Sequence, residues 1–253
     1  DRFIDTLAAQ FPSERNGLKE YIKKIHEICM NISMYSLSDK PSNMIDNRYI
    51  HIGAADYIRS VISDRRLQNI LAGNGMLYSA NENKTPLYIH ALINNSFIDS
   101  AWRIPDGSHL LVNILTANIV KAGGTMIRKQ RVEKLVSENG AVTYALLENG
   151  EKIYGKNFIA NIHPSQLFKM TEPGLFRKTF YNRINSLDDT MGMFTVYLVF
   201  KKNSFPYHRS NFYHFNQDNV WVASDYDVAK WPQNYLFMPT AMSDSETYAP
   251  SGS

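Results

Sequence analysis

The sequence predicts a mixed α/β chain of the α+β class, in which a helical first part is followed by antiparallel sheet. Three observations predict this class. Apolar residues recur at helical spacing through much of residues 1–105, short β-prone segments broken by Asn-Gly pairs fill 125–161, and aromatic and β-branched runs dominate after Gly192. We therefore expect three domains or domain segments: 1–105, 106–165 and 166–253.

The first part consists of amphipathic helices. The longest is predicted over residues 13–35, where apolar side chains recur about every 3.6 residues, and Ser13 is its expected N-cap. The same pattern predicts helices at 54–63, 66–72 and 86–97, with polar loops between them.

The middle part begins with a helix from about Leu110 to Ala122 that stops at Gly123-Gly124. Short β-prone segments follow, and Asn139-Gly140 and Asn149-Gly150 stand between them. An Asn-Gly pair favours a type I′ hairpin turn, which needs positive φ at both central residues. The pattern predicts a three-stranded β-meander, followed by one more strand that ends at Asn161.

The last part combines two helices with a sheet. Pro164 and Pro173 are placed to open helices over 164–170 and 173–187, because proline is tolerated at the first helical position. Residues 194–200, "FTVYLVF", are nearly all β-branched or aromatic and predict a central strand buried on both faces. Further strands are predicted at 211–215, 219–224 and 235–240.

Composition excludes several classes of protein. The net charge of +3 comes from basic residues scattered among acids, so nothing supports nucleic-acid binding. Cys29 is the only cysteine, which excludes an internal disulfide or a CxxC site and favours a reducing compartment. No apolar run is long enough for a membrane span. We expect a cytoplasmic location and leave peripheral membrane association and the oligomeric state open.

The sequence motifs identify few candidate catalytic or binding residues. The phosphate-binding, serine-hydrolase and zinc-protease motifs are missing, and the seven histidines show no helical i, i+4 pair, so no metal site is expected. Cys29 falls on the apolar face of its helix and is interpreted as a core residue. His163, directly after a predicted strand, is the most promising polar residue because ligands bind at the carboxyl ends of strands in α/β sheets.

The order of these pieces resembles a known family. Residues 101–168, from "AWRIPDGSHLL" to "HPSQLF", are similar to the internal flavin-domain segment of phytoene desaturases and retinol 13,14-reductases (retinol saturases), which are FAD-dependent oxidoreductases of the amine-oxidase-like superfamily. Residues 3–25 and 181–200 are similar to the helical and substrate-sheet regions of that family.

The resemblance implies cofactor-binding positions at the ends of strands. Val132 would lie against the FAD adenine, residues 160–163 near the dinucleotide, and the pair at 107–108 at the domain junction. The implied cofactor residues are Gly107, Ser108, Val132, Ala160, Asn161, Ile162 and His163. Asp106 stands where many relatives have glycine, which makes that backbone contact a departure from the family.

The implied activity of the complete protein is hydride transfer between flavin and the double bonds of an apolar carotenoid- or retinoid-like polyene, with NAD(P) open as the electron partner. Aromatic residues in the predicted strands are the candidates for the substrate cavity: Tyr197, Phe200, Phe212, Tyr213, Phe215, Trp221 and Phe237. Strand alternation should turn about half of them away from it. No catalytic residue can be nominated.

The resemblance also implies missing parts. A strand–GxGxxG–helix unit and a glycine-rich closing segment, which hold the flavin in the family, are not in these 253 residues. We therefore expect an interior fragment that is inactive and does not retain FAD by itself.

Other functions are open. A non-catalytic prenyl- or lipid-binding protein with the fold of the GDP-dissociation inhibitors would need an apolar pocket and no flavin. A flavin amine oxidase would need an aromatic cage beside the flavin. A structural or interaction module is the remaining alternative.

Overall fold

The computed structural model describes residues 2–32, 35, 47–99, 104, 107–201, 203–206, 208, 210–222 and 227–239. The chain divides into two compact units. Residues 1–107 with 190–253 form the helix-rich unit, and residues 108–189 form the meander unit. Helices and two small antiparallel sheets confirm the α+β class. The predicted division into three domains of a longer protein stays a prediction.

The helix-rich unit contains most of the predicted helices. They are α1 (Arg2–Gln10), α2 (Arg15–Met30), α3 (Asn47–Ile50), α4 (Ala54–Val61), α5 (Arg65–Ala72) and α6 (Leu87–Asp99). The helices predicted at 54–63, 66–72 and 86–97 are confirmed with small shifts at their ends. Periodicity did not predict α1.

The predicted start of the long helix is wrong. Ser13 lies in a 3-10 turn, Pro12–Glu14, and Glu14 occupies the N-cap position of α2. The carboxylate of Glu14 is buried and accepts hydrogen bonds from the backbone N–H groups of Ser63 (3.1 Å) and Asp64 (2.8 Å). This contact ties the start of α2 to the start of α5, which a local capping pattern cannot reveal.

The core of this unit lies between α2, α4 and α6. The face of α2 predicted from its periodicity is buried, and it packs with apolar residues of the other helices. Its buried members are Leu18, Tyr21, Ile22, Ile25, Ile28 and Cys29. Burial raises the pKa of the Cys29 thiol to about 12, so the cysteine stays a thiol near neutral pH and acts as a small core residue.

Gly17 marks the closest approach of α2 to α4. A Cβ atom at this position would lie 2.0 Å from the carbonyl oxygen of Val61 and 3.0 Å from Cδ1 of Ile62. The two backbones can pack at this distance only because residue 17 has no side chain.

One polar network lies inside the core. The imidazole of His90, on α6, is fully buried between two tyrosine hydroxyls. Its Nε2 lies 2.8 Å from Tyr21 Oη and its Nδ1 lies 2.8 Å from Tyr78 Oη. The amide of Asn94 is a third partner, since its Nδ2 donates to the His90 carbonyl oxygen at 2.9 Å and lies 3.2 Å from Nδ1. Desolvation lowers the pKa of His90 to about 3, and the ring is therefore neutral.

The meander unit contains one helix, a sheet and two further helices. Its elements are α7 (His109–Lys121), β1 (Val132–Glu138), β2 (Ala141–Leu147), β3 (Lys152–Tyr154), α8 (Pro164–Met170) and α9 (Lys178–Asn185). The strands pair antiparallel in the order β1-β2-β3, which confirms the predicted meander. The helix predicted at 164–170 is confirmed with Pro164 at its start, whereas the helix predicted at 173–187 spans only Lys178–Asn185, so the prediction that Pro173 opens it is wrong.

The two hairpin turns of the meander differ. Asn139 (φ 52°) and Gly140 (φ 80°) are both left-handed, as a type I′ turn requires. In the second turn only Gly150 has a positive φ, of 84°, so the predicted type I′ turn is wrong there. Leu147 N–H donates to the carbonyl oxygen of Glu151, which closes a longer loop with glycine at its left-handed position.

Two predicted strands are wrong. Residues 157–161 and 194–200 form no strand, and most of the apolar side chains of 194–200 are exposed. No backbone hydrogen bond joins 194–200 to another residue in the described part of the chain. β-Branched and aromatic composition makes a segment fit a sheet, but a strand also needs a neighbour that pairs with it.

Two later strands do form, in the helix-rich unit. β4 (Phe212–Phe215) and β5 (Asn234–Phe237) pair antiparallel and confirm the strands predicted at 211–215 and 235–240 in shortened form. The strand predicted at 219–224 is reduced to a single bridge between Val222 and Asn81, and its last two residues lie outside the described part of the chain.

Candidate functional site

The residues implied to contact a cofactor lie along the meander unit and at its start. Gly107 has a φ of 95°, a conformation that suits glycine, and Ser108 is the N-cap of α7 without a side-chain cap hydrogen bond. Val132 begins β1 and pairs with Leu147, whereas the family pattern has a strand ending at this valine. Residues 160–162 have no regular secondary structure.

His163 is the best-positioned polar residue of this set. It is the N-cap of α8, and its Nδ1 lies 2.8 Å from Ser165 Oγ and 3.4 Å from the backbone nitrogen of Ser165. Its Nε2 lies 3.0 Å from Oδ1 of Asp189. The sequence identified His163, but it gave no reason to select Ser165 or Asp189.

The hydrogen bonds assign the tautomer of His163. The backbone N–H of Ser165 can only donate, so Nδ1 is an acceptor, and the ring proton sits on Nε2 and points at the Asp189 carboxylate. His163 and Asp189 are both more than half exposed, so solvent weakens this interaction.

Three of the predicted substrate-cavity residues, Phe200, Phe212 and Phe237, lie together at the β4–β5 sheet. Phe212 and Phe237 are directly opposite each other, with ring centroids 6.0 Å apart. Phe205 lies 5.7 Å from Phe237 and stacks on Phe200 at 4.6 Å, and His208 lies 5.2 Å from Phe212. We call these five side chains the aromatic face.

The other predicted cavity residues lie elsewhere in the same unit. Tyr213 and Phe215 point to the opposite side of β4, as strand alternation requires, and Phe215 packs on the core. Trp221 is 5% exposed and its ring lies 6.3 Å from that of His90. Tyr197 is 90% exposed. That these residues line one apolar cavity stays a prediction.

The described residues lack a metal-binding cluster and a membrane-spanning helix. They contain no group of three or more His, Cys, Asp or Glu side chains that could hold a metal ion. In the same part of the chain, no helix has the length and apolar character needed to cross a membrane.

The chain is distantly similar to a known reductase. The chain is 20% identical over 170 residues to all-trans-retinol 13,14-reductase from Danio rerio. The match covers 60% of this chain and 28% of the relative, so the chain corresponds to less than a third of that protein's length. No family model and no solved structure matches the chain. The similarity is to an oxidoreductase, which agrees in kind with the family that the sequence resembles.

Proposed function

We propose that this chain is the interior part of a flavin-dependent oxidoreductase that transfers hydride to or from double bonds of an apolar conjugated substrate. Two lines of reasoning support the proposal. The order of its sequence segments resembles that of the desaturase and saturase family, and the distant relative is a reductase of a polyene alcohol by its name.

The uncovered surface of α7 is the structural observation that carries the proposal. The helix is apolar nearly all round, yet none of its residues is buried, and six of its large apolar side chains are between 44% and 59% exposed. These side chains are Leu111, Val112, Ile114, Leu115, Ile119 and Val120. A helix that is apolar on all sides is normally enclosed by other protein layers.

The rest of the meander unit also has very little buried core. Across residues 108–189, which the structure describes throughout, only Ala145 and Leu147 are buried apolar residues. A unit of this size needs a larger core to be stable. We infer that further chain of a flavin domain covers α7 and supplies the strand and glycine-rich turn that grip the FAD pyrophosphate.

The residues present fit one part of such a site. Gly107, with a positive φ and no side chain, leaves the backbone accessible just before α7. His163, whose ring is held by hydrogen bonds, is the last residue of the segment that the family places beside the dinucleotide. No residue here replaces the missing pyrophosphate-binding turn. Bound FAD would supply the hydride-accepting or hydride-donating atom, and the chain's own residues would position the cofactor and the substrate.

The aromatic face fits the substrate side of the proposal. A polyene has almost no hydrogen-bonding groups, so it is held by buried area, at about 25 cal/mol per Å². The rings of Phe200, Phe205, Phe212 and Phe237, which stack, tilt or meet edge to face, form an apolar cluster that could provide such area.

Substitution of Ile114 by lysine tests the proposal. Ile114 is 59% exposed, so Ile114→Lys should leave the stability of the isolated 253-residue chain nearly unchanged, within about 0.5 kcal/mol. In the longer polypeptide that contains this chain, the same change should bury a charge against the flavin domain and lower the FAD retained after purification. Flavin released on denaturation measures that content.

The control is Ile114→Leu, which keeps the apolar side chain and should retain FAD like the wild type. Full flavin content in the Ile114→Lys polypeptide would show that α7 stays exposed, and the proposal would lose its structural support.

A further inference from the structure

A small polar pocket lies in the helix-rich unit, apart from every residue discussed as a flavin or substrate contact except Trp221. It has a volume of about 270 Å³ and lies between α4, α5 and the chain around Glu82 and Trp221. Its polar lining comes from Arg59, Arg65, Gln68, Asn69, Glu82 and Asn219. The volume is just below the range of about 300–1,000 Å³ that is usual for ligand pockets, which suits a small metabolite.

One side of the pocket is fully occupied by internal hydrogen bonds. Arg59 forms an ion pair with Glu82, whose other oxygen accepts from Nδ2 of Asn219 at 3.3 Å. Oδ1 of Asn219 accepts from the backbone N–H of Trp221 at 3.1 Å. The bond from Arg59, together with the charge of Arg65, lowers the pKa of Glu82. The carboxylate is therefore ionised and already satisfied.

The other side offers unused groups from one face of α5. Arg65, Gln68 and Asn69 stand at i, i+3 and i+4, so their side chains share that face. Nε2 of Gln68 donates to the carbonyl oxygen of Ile62 at 2.7 Å, and Nδ2 of Asn69 donates to that of Asp218. These bonds fix both amides, because a carbonyl oxygen can only receive the N–H end, and they leave Oε1 of Gln68 and Oδ1 of Asn69 as acceptors.

The guanidinium of Arg65 completes this set. Within the described part of the chain it forms no ion pair and no hydrogen bond, so its planar array of donors remains open. Among the described residues, the carboxylate of the pocket lining and the exposed Asp56, at 3.8 Å, both pair with Arg59, so Arg65 is the guanidinium of the lining without a paired carboxylate. A single carboxylate would balance it and match the bidentate geometry of arginine.

We propose that this pocket binds a small hydroxylated monocarboxylate of about the size of a sugar acid. Its carboxylate binds the Arg65 guanidinium, and its hydroxyls donate hydrogen bonds to Oε1 of Gln68 and Oδ1 of Asn69. This binding site does not depend on the proposed flavin chemistry.

Calorimetric titration of the 253-residue chain with gluconate tests the inference. Acetate, which has the carboxylate without hydroxyls, and glucose, which has hydroxyls without the carboxylate, separate the two halves of the site. Gluconate should bind at least about tenfold more tightly than either, because hydrogen bonds to charged groups are worth about 1.5–3 kcal/mol each.

Arg65→Ala should weaken gluconate binding by at least about tenfold. Arg66→Ala is the matched control, since Arg66 is the next residue of the same helix, is exposed and does not line the pocket. The affinity of Arg66→Ala for gluconate should stay within about twofold of the wild type. The unfolding curves of both variants should overlay that of the wild type, because neither side chain is buried. Equal binding of gluconate, acetate and glucose, or wild-type affinity in Arg65→Ala, would overturn the inference.

Discussion

Replacing Gly17 with alanine should destabilise the helix-rich unit by about 3 kcal/mol or more. The new Cβ would lie 2.0 Å from the carbonyl oxygen of Val61, closer than any real contact, and that oxygen belongs to backbone rather than to a movable side chain. Removing this clash would require α2 and α4 to move apart, and that movement would open the core around Leu18 and Ile62. Urea unfolding followed by circular dichroism measures the change.

Gly192→Ala is the control for this experiment. Nothing lies within 4 Å of a Cβ at Gly192 and its φ is not in the left-handed region, so the change should alter stability by no more than about 0.5 kcal/mol. A Gly17→Ala protein as stable as Gly192→Ala would show that α2 and α4 are not packed as closely as described.

The second large effect is a loss of stability in acid caused by His90. The folded protein keeps this ring neutral down to about pH 3, whereas in the unfolded chain it protonates below its ordinary pKa of 6.5. Protons therefore bind the unfolded state preferentially below pH 6.5. The stability that depends on neutral His90 is therefore fully present above pH 6.5 and is lost progressively as the pH falls toward 3. At about 1.36 kcal/mol per pH unit, the free energy of unfolding should fall by about 2 kcal/mol by pH 5.

His90→Gln should remove this dependence, because glutamine does not titrate. The variant is expected to be less stable than the wild type at pH 8, since it loses the ring between Tyr21 and Tyr78. The difference between the two proteins should shrink by about 2 kcal/mol between pH 7 and pH 5. His109→Gln, at an exposed position of α7, should leave the pH dependence as it is. If the free energy of unfolding varied with pH in the same way in the wild type and in His90→Gln, His90 would have to take up its proton in the folded protein as it does in the unfolded chain.

Elements that depend on local contacts could be predicted from the sequence. The apolar periodicity of α2, α4 and α5 appears as buried faces, whereas the buried face of α6 includes His90, Asn94 and Asn95. The meander follows from neighbouring segments joined by short turns. The strand predicted at 194–200 does not form, for the opposite reason. Its composition is that of a buried strand, but its pairing partner is not determined by its own residues.

The same distinction applies to the candidate sites. His163 could be singled out because it follows a β-prone segment and precedes a proline, but Asp189 reaches it from 26 positions along the chain and has no local signal. His90 sits among apolar positions of α6, where periodicity alone treats it as an irregularity. The polar pocket combines α5 with the chain at 219–221, a contact that only the folded structure reveals.

The most direct test of the central claim is the reaction of the longer polypeptide with a polyene alcohol. The protein would be purified with its flavin and incubated with all-trans-retinol and other polyenes, once with the flavin oxidised and once after chemical reduction without oxygen, and the masses of the separated products would be measured. We predict a polyene that gains two hydrogen atoms as the reduced flavin is reoxidised, or loses two as the oxidised flavin is reduced, in equal amount. A polypeptide that carries no flavin, or one that carries it and leaves retinol and other polyenes unchanged while oxidising amines, would contradict the proposed function.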